Sequence, residues 1–218
     1  MTIVVRTLAE RIFDVIRERI VEGQLPVSEP VRQDALAAEL GVSKIPLREA
    51  LAKLEHEGLL TSQANRGWFV RPMSQDQAEE IYLLRLAIEP AAAAYACLKA
   101  DDADRAAACE AFERLDAATK ENLKDVAVRN RQFHVSLVRP GGRLLTTQLV
   151  ERLEVLAERY VIAHLQPAGR GDRAHLEHRD LLDAWLAGDS SRVKDLLTAH
   201  ISSTLDDLRA HFTASQPS

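Results

Sequence analysis

The chain has 218 residues, of which 46% are apolar, 28% charged and 5% aromatic, and its formal net charge is −5. These values are typical of a globular protein with one large or two small domains, and the net charge by itself argues against a nucleic-acid binder. The charge-free stretch Pro90 to Leu98 is nine residues long, too short to span a membrane. Residues 1–11 lack the pattern of a secretory signal, so we expect a cytoplasmic protein without membrane contact. Cys97 and Cys109 form no CxxC pair, so neither a disulfide framework nor a cysteine zinc site is expected.

The charge is unevenly distributed along the chain. Residues 1–72 contain ten Lys or Arg and ten Asp or Glu, whereas residues 73–218 contain eighteen and twenty-three. A neutral N-terminal unit can present a basic face to phosphates, but an acidic unit is a poor candidate for that role. The composition therefore indicates two units with different tasks.

The N-terminal unit has the pattern of a winged helix. Apolar residues three and four apart predict helices over residues 5–22, 33–40 and 44–57. Ser43 is a candidate N-cap of the third helix, and a short turn containing Gly41 separates it from the second, as in a helix-turn-helix. Strands over residues 59–62 and 68–70 then predict a hairpin.

The remainder of the chain is helical in pattern. We expect Pro90 to kink or interrupt the first of six helices and the tail, residues 213–218, to fray. The fold class is therefore mainly α, with an N-terminal winged helix-turn-helix over residues 1–72 and a C-terminal all-α helical bundle over residues 73–212. The predicted helices of the bundle cover residues 74–98, 102–122, 123–138, 143–166, 172–187 and 190–212.

The positions expected to contact DNA lie at the N-terminus of the third helix and at the hairpin tip. In a helix-turn-helix, the first residues of this recognition helix face the base edges. Lys44 and Arg48 are four residues apart, so they share one helix face and can reach one groove. For each basic residue the alternative is a solvated surface charge. The candidate DNA-binding residues are Ser43, Lys44, Ile45, Arg48, Arg66 and Gly67.

Three segments carry a family resemblance. Residues 41–51 (GVSKIPLREAL), 54–60 (LEHEGLL) and 65–70 (NRGWFV) resemble the winged-helix domain of GntR-family transcription regulators. The family commonly has Arg at the position of Lys44, and Arg-Glu-Leu-Ala where this chain has residues 34–37, Asp-Ala-Leu-Ala. Because Lys cannot make the two-pronged contact with guanine that Arg makes, the operator sequence is not expected to follow that of relatives. Arg32 is a candidate replacement contact to phosphate.

Histidines on separate predicted helices are candidate metal ligands. Asn130 and His134 are four residues apart and lie on one helix face, and His178 and His200 have leucines on their sides of their helices. All three histidines are thus expected to point into the bundle, where side chains from several helices can converge on a cation. Imidazole suits Zn, Ni, Cu or Fe. The alternative is that each is a hydrogen-bonded core histidine.

The C-terminal part resembles the ligand-binding domain of the FadR branch of that family, the FCD domain in its shorter six-helix form. The resemblance implies a divalent transition metal, Zn or Ni, bound by His134, His178, His200 and Asn130. The family's usual residue at position 130 is Asp, so the neutral amide of Asn130 is expected to weaken the site.

The other candidate residues of this part have less specific roles. Arg85 is a candidate partner for an effector carboxylate, with an ion pair to Glu89 as its alternative. His175, one turn before His178, is expected to be a bystander, with a substitute metal ligand as its alternative. His164 and His211 are expected to be surface or helix-end residues.

These observations predict a metabolite-responsive, sequence-specific DNA-binding regulator rather than an enzyme. The resemblance implies a homodimer that binds a palindromic double-stranded operator and a repressor that a small carboxylate effector releases. One alternative is a helical domain that serves only for dimerisation. A metalloenzyme is disfavoured because no acidic residue stands in an H-E-x-x-H or similar unit to act as general base.

Overall fold

The structure is a computed structural model and describes residues 6–27, 29–121, 123–165 and 169–214. Contacts divide the chain into two compact units, with the division between Pro72 and Met73. Both units are mainly helical, as predicted. None of the described helices is long and apolar enough to cross a membrane.

The first unit is a three-helix core with a two-stranded antiparallel hairpin. A capping box between Thr7 and Glu10 begins α1. In the hairpin Leu60 pairs with Val70, and Gln63 pairs with Gly67. The predicted winged helix-turn-helix is therefore present, with the start at residue 5 outside the described residues. Its elements are α1 (Leu8–Val21), α2 (Gln33–Leu40), α3 (Lys44–His56), β1 (Leu60–Gln63) and β2 (Gly67–Val70).

Apolar side chains from α1 and α3 hold this unit together. Ile16, Leu47, Leu51 and Leu54 are completely buried. Gly41 ends α2 with φ +65°, a conformation that most side chains disfavour. Ser43 is the N-cap residue of α3, but its side chain makes no capping hydrogen bond within the described part of the chain, contrary to the expectation.

The second unit is a bundle of six long helices and a short 3-10 turn. Trp185 is fully buried, and its indole Nε1 donates to the Leu137 carbonyl oxygen at 2.9 Å, which joins two helices across the core. The predicted ends at residues 122 and 166 and the tail from residue 215 lie outside the described residues. The elements are α4 (Gln75–Ala96), α5 (Asp102–Glu121), α6 (Leu123–Val138), the 3-10 turn (Arg139–Gly141), α7 (Leu144–Leu165), α8 (Arg170–Leu186) and α9 (Ser190–Ala214).

Helix α4 is the central helix of the bundle, because it packs against α6, α7 and α9. Its N-cap is Ser74, whose hydroxyl accepts from the backbone N–H of Gln77 at 3.1 Å. The predicted interruption at Pro90 is wrong. The helix continues through buried Pro90 to Ala96, since surrounding packing offsets the loss of one backbone hydrogen bond.

Candidate metal centre and candidate nucleic-acid interface

Three histidines from three helices meet in the interior of the bundle. His134 comes from α6, His178 from α8 and His200 from α9, and they are 2%, 4% and 8% exposed. One ring nitrogen of each lies within 4.8 Å of the others. The structure therefore brings together the three histidines that the sequence predicted to converge.

His178 and His200 face each other through the same ring nitrogen. Their Nε2 atoms are 3.2 Å apart, so in neutral rings only one of the two can donate a proton to the other. Neighbouring ligands about 2.1 Å from a tetrahedral metal are separated by about 3.4 Å, so this spacing fits a shared cation. Burial, reinforced by His200 and His134, lowers the pKa of His178 well below its usual value, which keeps the ring neutral as metal binding requires.

Glu177 holds His200 from the other side. Its carboxylate oxygen lies 2.6 Å from Nδ1 of His200. A proton on Nδ1 leaves the lone pair of Nε2 free, and Nε2 is the atom that faces His178. The His200 ring is thus oriented by a partner on a neighbouring helix.

His134 lies beside a buried charged cluster formed by Arg85, Glu89 and Glu154. The Arg85 guanidinium donates to Glu89 through Nε at 2.7 Å and through Nη2 at 3.2 Å, and Nη2 also bonds Glu154. Nδ1 of His134 is 3.6 Å from an oxygen of each carboxylate. Both ring nitrogens of His134 lack a hydrogen-bond partner among the described residues, which is unusual for a buried imidazole.

Burial and mutual charge set the protonation of this cluster. Burial opposes ionisation of Glu89, but Arg85 and His134 outweigh it and lower the pKa of Glu89 to about 2. Burial and the adjacent Glu89 carboxylate raise the pKa of Glu154 well above its usual value, despite Arg85. Burial also lowers the pKa of His134 to about 4. The ring of His134 is therefore neutral at pH 7.

Glu89, His134 and Glu154 also lie close enough together to suggest a second cation site. Arg85 already supplies the positive charge there, because its guanidinium bonds both carboxylates. A metal at that position would have to displace a buried guanidinium. The arrangement therefore favours one metal position, among the three histidines.

A small cavity of about 30 Å³ opens beside His178 and His200. Its wall includes His178, His200, Asn130 and Arg85, and the apolar remainder includes Leu115 and Val161. Tyr82 also lines it, fully buried, and the Tyr82 hydroxyl makes no hydrogen bond to any described residue. The cavity thus brings imidazole nitrogens, an available hydroxyl and an apolar surface together, a mixture of lining groups that is typical of small-molecule sites.

The remaining predicted residues of this unit are placed as follows. Asn130 is buried and shares the cavity wall with the histidines. Arg85 forms the ion pair with Glu89 that was the alternative to effector binding, so its effector role stays a prediction. His175 pairs through Nδ1 with Asp116 at 2.7 Å and lines the cavity. His211 lies in the last turn of α9, and the side chain of His164 is outside the described part.

The sequence analysis missed the carboxylates behind the histidines. Glu154 and Glu158, which are 1% and 0% exposed, occupy the buried face of α7 together with Val150 and Ala157. The sequence places these two acids on the apolar face of the helix, which was a detectable signal of a buried polar site, since charged residues are rarely buried without a partner. Glu177, directly before His178, carried no comparable signal.

The candidate nucleic-acid interface lies at the N-terminus of α3. Ile45 is 72% exposed, an unusual position for a large apolar residue unless it meets a partner such as a thymine methyl group. Lys44 pairs with Asp34 at 2.5 Å, and Nε of Arg48 donates to the Gln33 side-chain oxygen at 3.3 Å. Lys44 and Arg48, the two cations in the first turns of α3, therefore both bond residues of α2.

The wing places its cation at the tip of the hairpin. Arg66 is exposed, with its guanidinium carbon 5.4 Å from the Phe69 ring centroid. Gly67 follows with φ +89°, a backbone conformation that favours glycine. Arg32, which precedes α2, is exposed and pairs with Glu29 at 3.2 Å.

Comparisons with known proteins agree with these two units. Residues 8–70 match the model of bacterial regulatory proteins of the gntR family, and residues 80–203 match the FCD domain. The uncharacterized HTH-type transcriptional regulator BphR of Paraburkholderia xenovorans is 31% identical over 94% of this chain and 86% of its own length. A probable D-xylose utilization operon transcriptional repressor of Paenarthrobacter nicotinovorans is 31% identical over 91% of this chain and 88% of its own length.

A solved structure shows the same fold. That of E. coli McbR/YncC superposes with a TM-score of 0.79 and 21% identity, covering 95% of this chain and all of that one. A winged helix and a helical bundle are thus joined in one chain, and the match to the solved structure extends over both. The chain belongs to the GntR family of bacterial transcriptional regulators, in the FadR-type arrangement that places an FCD domain after the DNA-binding domain.

Proposed function

We propose that this regulator is a homodimeric repressor that binds a palindromic operator and leaves it when a small carboxylate binds in the FCD domain. The family assignment supports DNA binding, and the name of the D-xylose relative supports repression. The family assignment also favours a regulator over the metalloenzyme alternative. The Ile45, Lys44 and Arg48 side chains at the start of α3 supply the base-reading surface, and Arg66 at the wing supplies a contact to phosphate or the minor groove.

The convergence of three buried histidine nitrogens beside a cavity carries the ligand-responsive part of the proposal. His134, His178 and His200, with the amide oxygen of Asn130, would hold a divalent transition metal such as Zn or Ni. A bound metal would supply a Lewis acid for an effector carboxylate. Because Asn130 is neutral, the affinity for metal should be lower than that of a site with a fourth, anionic ligand.

Metal content per chain tests this site. Untagged protein purified without chelator would be analysed by mass spectrometry beside a His134→Ala/His200→Ala double variant. We expect about one transition metal per wild-type chain and loss of the metal in the variant. A wild type that contains no metal and cannot be loaded with Zn or Ni would refute the metal site, and the search for effectors would then turn to ligands held by hydrogen bonds alone.

Release from DNA tests the regulatory part. An operator can be selected from a random double-stranded library, after which small organic acids are screened for loss of binding. We expect an effector to weaken the wild-type complex and to act less on the double variant, since coupling requires both sites. An effector that saturates the protein without changing operator affinity would contradict the proposed mechanism.

Exposed leucines on α4 and α7 provide the proposed dimer surface. Arg143 lies 3.9 Å from the Tyr95 ring centroid, and Tyr160 bonds Ser74, so the two helices run antiparallel along each other. Large apolar side chains on a solvent face are typical of interaction surfaces, and a two-fold axis there would match two operator half-sites. The exposed leucines are Leu83, Leu84, Leu144, Leu145 and Leu149.

A further inference from the structure

We infer that Glu89 and Glu154 are positioning residues of the metal centre, which hold the His134 ring through its Nδ1 so that Nε2 faces His178 and His200. The inference rests on the metal site proposed above. It differs from that proposal because neither carboxylate is placed on the metal.

The position of His134 is the first observation. Its Nδ1 lies 3.6 Å from an oxygen of Glu89 and 3.6 Å from an oxygen of Glu154. An N–H···O bond requires about 3.2 Å or less, so both oxygens lie just beyond hydrogen-bond distance of Nδ1. Both carboxylates are 1% exposed, which leaves them few other partners.

Arg85 explains why the two carboxylates stay behind His134. It donates two hydrogen bonds to Glu89 on its own helix and one to Glu154 on α7. The guanidinium offsets the negative charge of Glu89, and its hydrogen bonds hold the oxygens of both acids in place. The geometry therefore makes Arg85 a support for these acids, and the pair with Glu89 is the alternative to an effector contact that the sequence left open.

The second observation is the equivalent arrangement at His200. There the Glu177 carboxylate lies 2.6 Å from Nδ1, and Nε2 faces His178. Two of the three histidines thus have an acid on the Nδ1 side. Partners of this kind set the tautomer and raise the basicity of the ligating nitrogen, and their loss typically weakens metal binding about 10- to 100-fold.

Cobalt(II) binding by the full-length protein tests the inference. Glu89→Gln, Glu154→Gln and the double variant would be titrated with Co²⁺ after treatment with chelator, with a competing chelator to measure affinity and visible absorption to report ligand geometry. Glu158→Gln is the matched control. Glu158 is fully buried on the same helix as Glu154, one turn further on, but it bonds Arg131 at 2.7 Å.

We expect Co²⁺ affinity to fall about 10- to 100-fold in the double variant and by less in each single variant, with a changed absorption spectrum. Glu158→Gln should bind like the wild type with an unchanged spectrum. If all variants bind Co²⁺ with the affinity and spectrum of the wild type, the inference is wrong, while the metal site remains supported. The same holds if Glu158→Gln loses as much affinity as the double variant. A wild type that binds no Co²⁺ would instead refute the metal site itself. Circular dichroism of the metal-free proteins verifies folding. If the double variant does not fold, the Co²⁺ affinities of the two single variants decide the test.

Discussion

Tyr82 and Tyr160 are both buried, at 0% and 2% exposure, but they differ in how their hydroxyl groups are satisfied. The Tyr160 hydroxyl accepts from the backbone N–H of Ser74 at 3.3 Å and lies 3.2 Å from the Gln77 side-chain oxygen. The Tyr82 hydroxyl has no such partner in the described residues, although it lines the cavity. A buried hydroxyl without a partner is costly unless a ligand or water uses it.

Replacement of each tyrosine by Phe should therefore have different effects on stability. We expect Tyr160→Phe to lower the free energy of unfolding by about 1 kcal/mol, because it removes hydrogen bonds at the start of α4. Tyr82→Phe should leave it unchanged or raise it. Urea denaturation of both variants gives the comparison, and a Tyr82→Phe variant as destabilised as Tyr160→Phe would mean that an ordered water already satisfies the hydroxyl.

The buried ionisable groups predict how the stability of the metal-free protein depends on pH. The pKa of His134 is lowered to about 4 and that of His178 is also lowered, so between pH 7.5 and 5.5 the unfolded chain takes up protons that the folded chain does not. Acidification therefore destabilises the folded state. Each histidine therefore adds to the loss of stability over this interval, given an unfolded pKa near 6.5.

Glu154 acts in the opposite direction, because its raised pKa lets the folded state keep a proton that the unfolded chain has released. Glu89, with a pKa of about 2, and Arg85 keep their charges throughout this range. We therefore expect Glu154→Gln to lose stability between pH 7.5 and 5.5, and the wild type to lose less over the same interval. Guanidinium denaturation in the presence of a chelator measures the free energy of unfolding of both proteins at the two pH values. A larger loss of stability in the wild type than in Glu154→Gln would contradict this prediction.

The sequence predicted the elements that local signals define. Helix periodicity, Gly41 at the turn and the β-favouring run of residues 68–70 all act within a few residues, so the winged helix followed from them. The convergence of His134, His178 and His200 also followed, because apolar neighbours reveal which face of a helix is buried.

The features that sequence analysis missed depend on tertiary contacts. Glu89 and Glu154 are 65 positions apart in the chain and meet only because α4 packs against α7. The interruption expected at Pro90 failed for a related reason, since packing on several sides outweighs the local cost of proline in a helix. The hydrogen bond expected from Ser43 is absent from the described structure, which leaves that hydroxyl available to a phosphate.

The contacts of the recognition helix predict how an acidic neighbour affects DNA binding. Asp34 pairs with Lys44 while both side chains remain largely exposed, at 79% and 62%. Replacing Asp34 with Asn should free Lys44 and remove repulsion of phosphates, and we expect up to about fivefold tighter binding to a selected operator, the range of an exposed ion pair. Glu18→Gln, the same charge change at an exposed position of α1, should have a smaller effect in the same fluorescence anisotropy assay. Equal effects of the two changes would show that net charge alone is responsible.

The wing predicts a change in salt dependence. Arg66 is exposed at the hairpin tip, and a contact between its guanidinium and a phosphate would release about one counterion on binding. In Arg66→Ala, the slope of log Kd against log salt concentration should therefore decrease by about one, with a similar loss of affinity for operator and random DNA. A variant that loses affinity only for the operator would instead place Arg66 on a base edge in the minor groove.

The exposed leucines of α7 predict how the dimer can be broken. Leu145 is 70% exposed in the single chain, so a Leu145→Glu change should leave the fold intact while placing a charge in the proposed interface. We expect sedimentation velocity to show a dimer for the wild type and a monomer for this variant, with weaker binding to a palindromic operator because two half-sites are no longer held together. Leu176→Glu is the matched control, since Leu176 is 63% exposed on α8, outside the proposed surface. If Leu145→Glu stays dimeric while Leu176→Glu dissociates, the two-fold axis lies along α8.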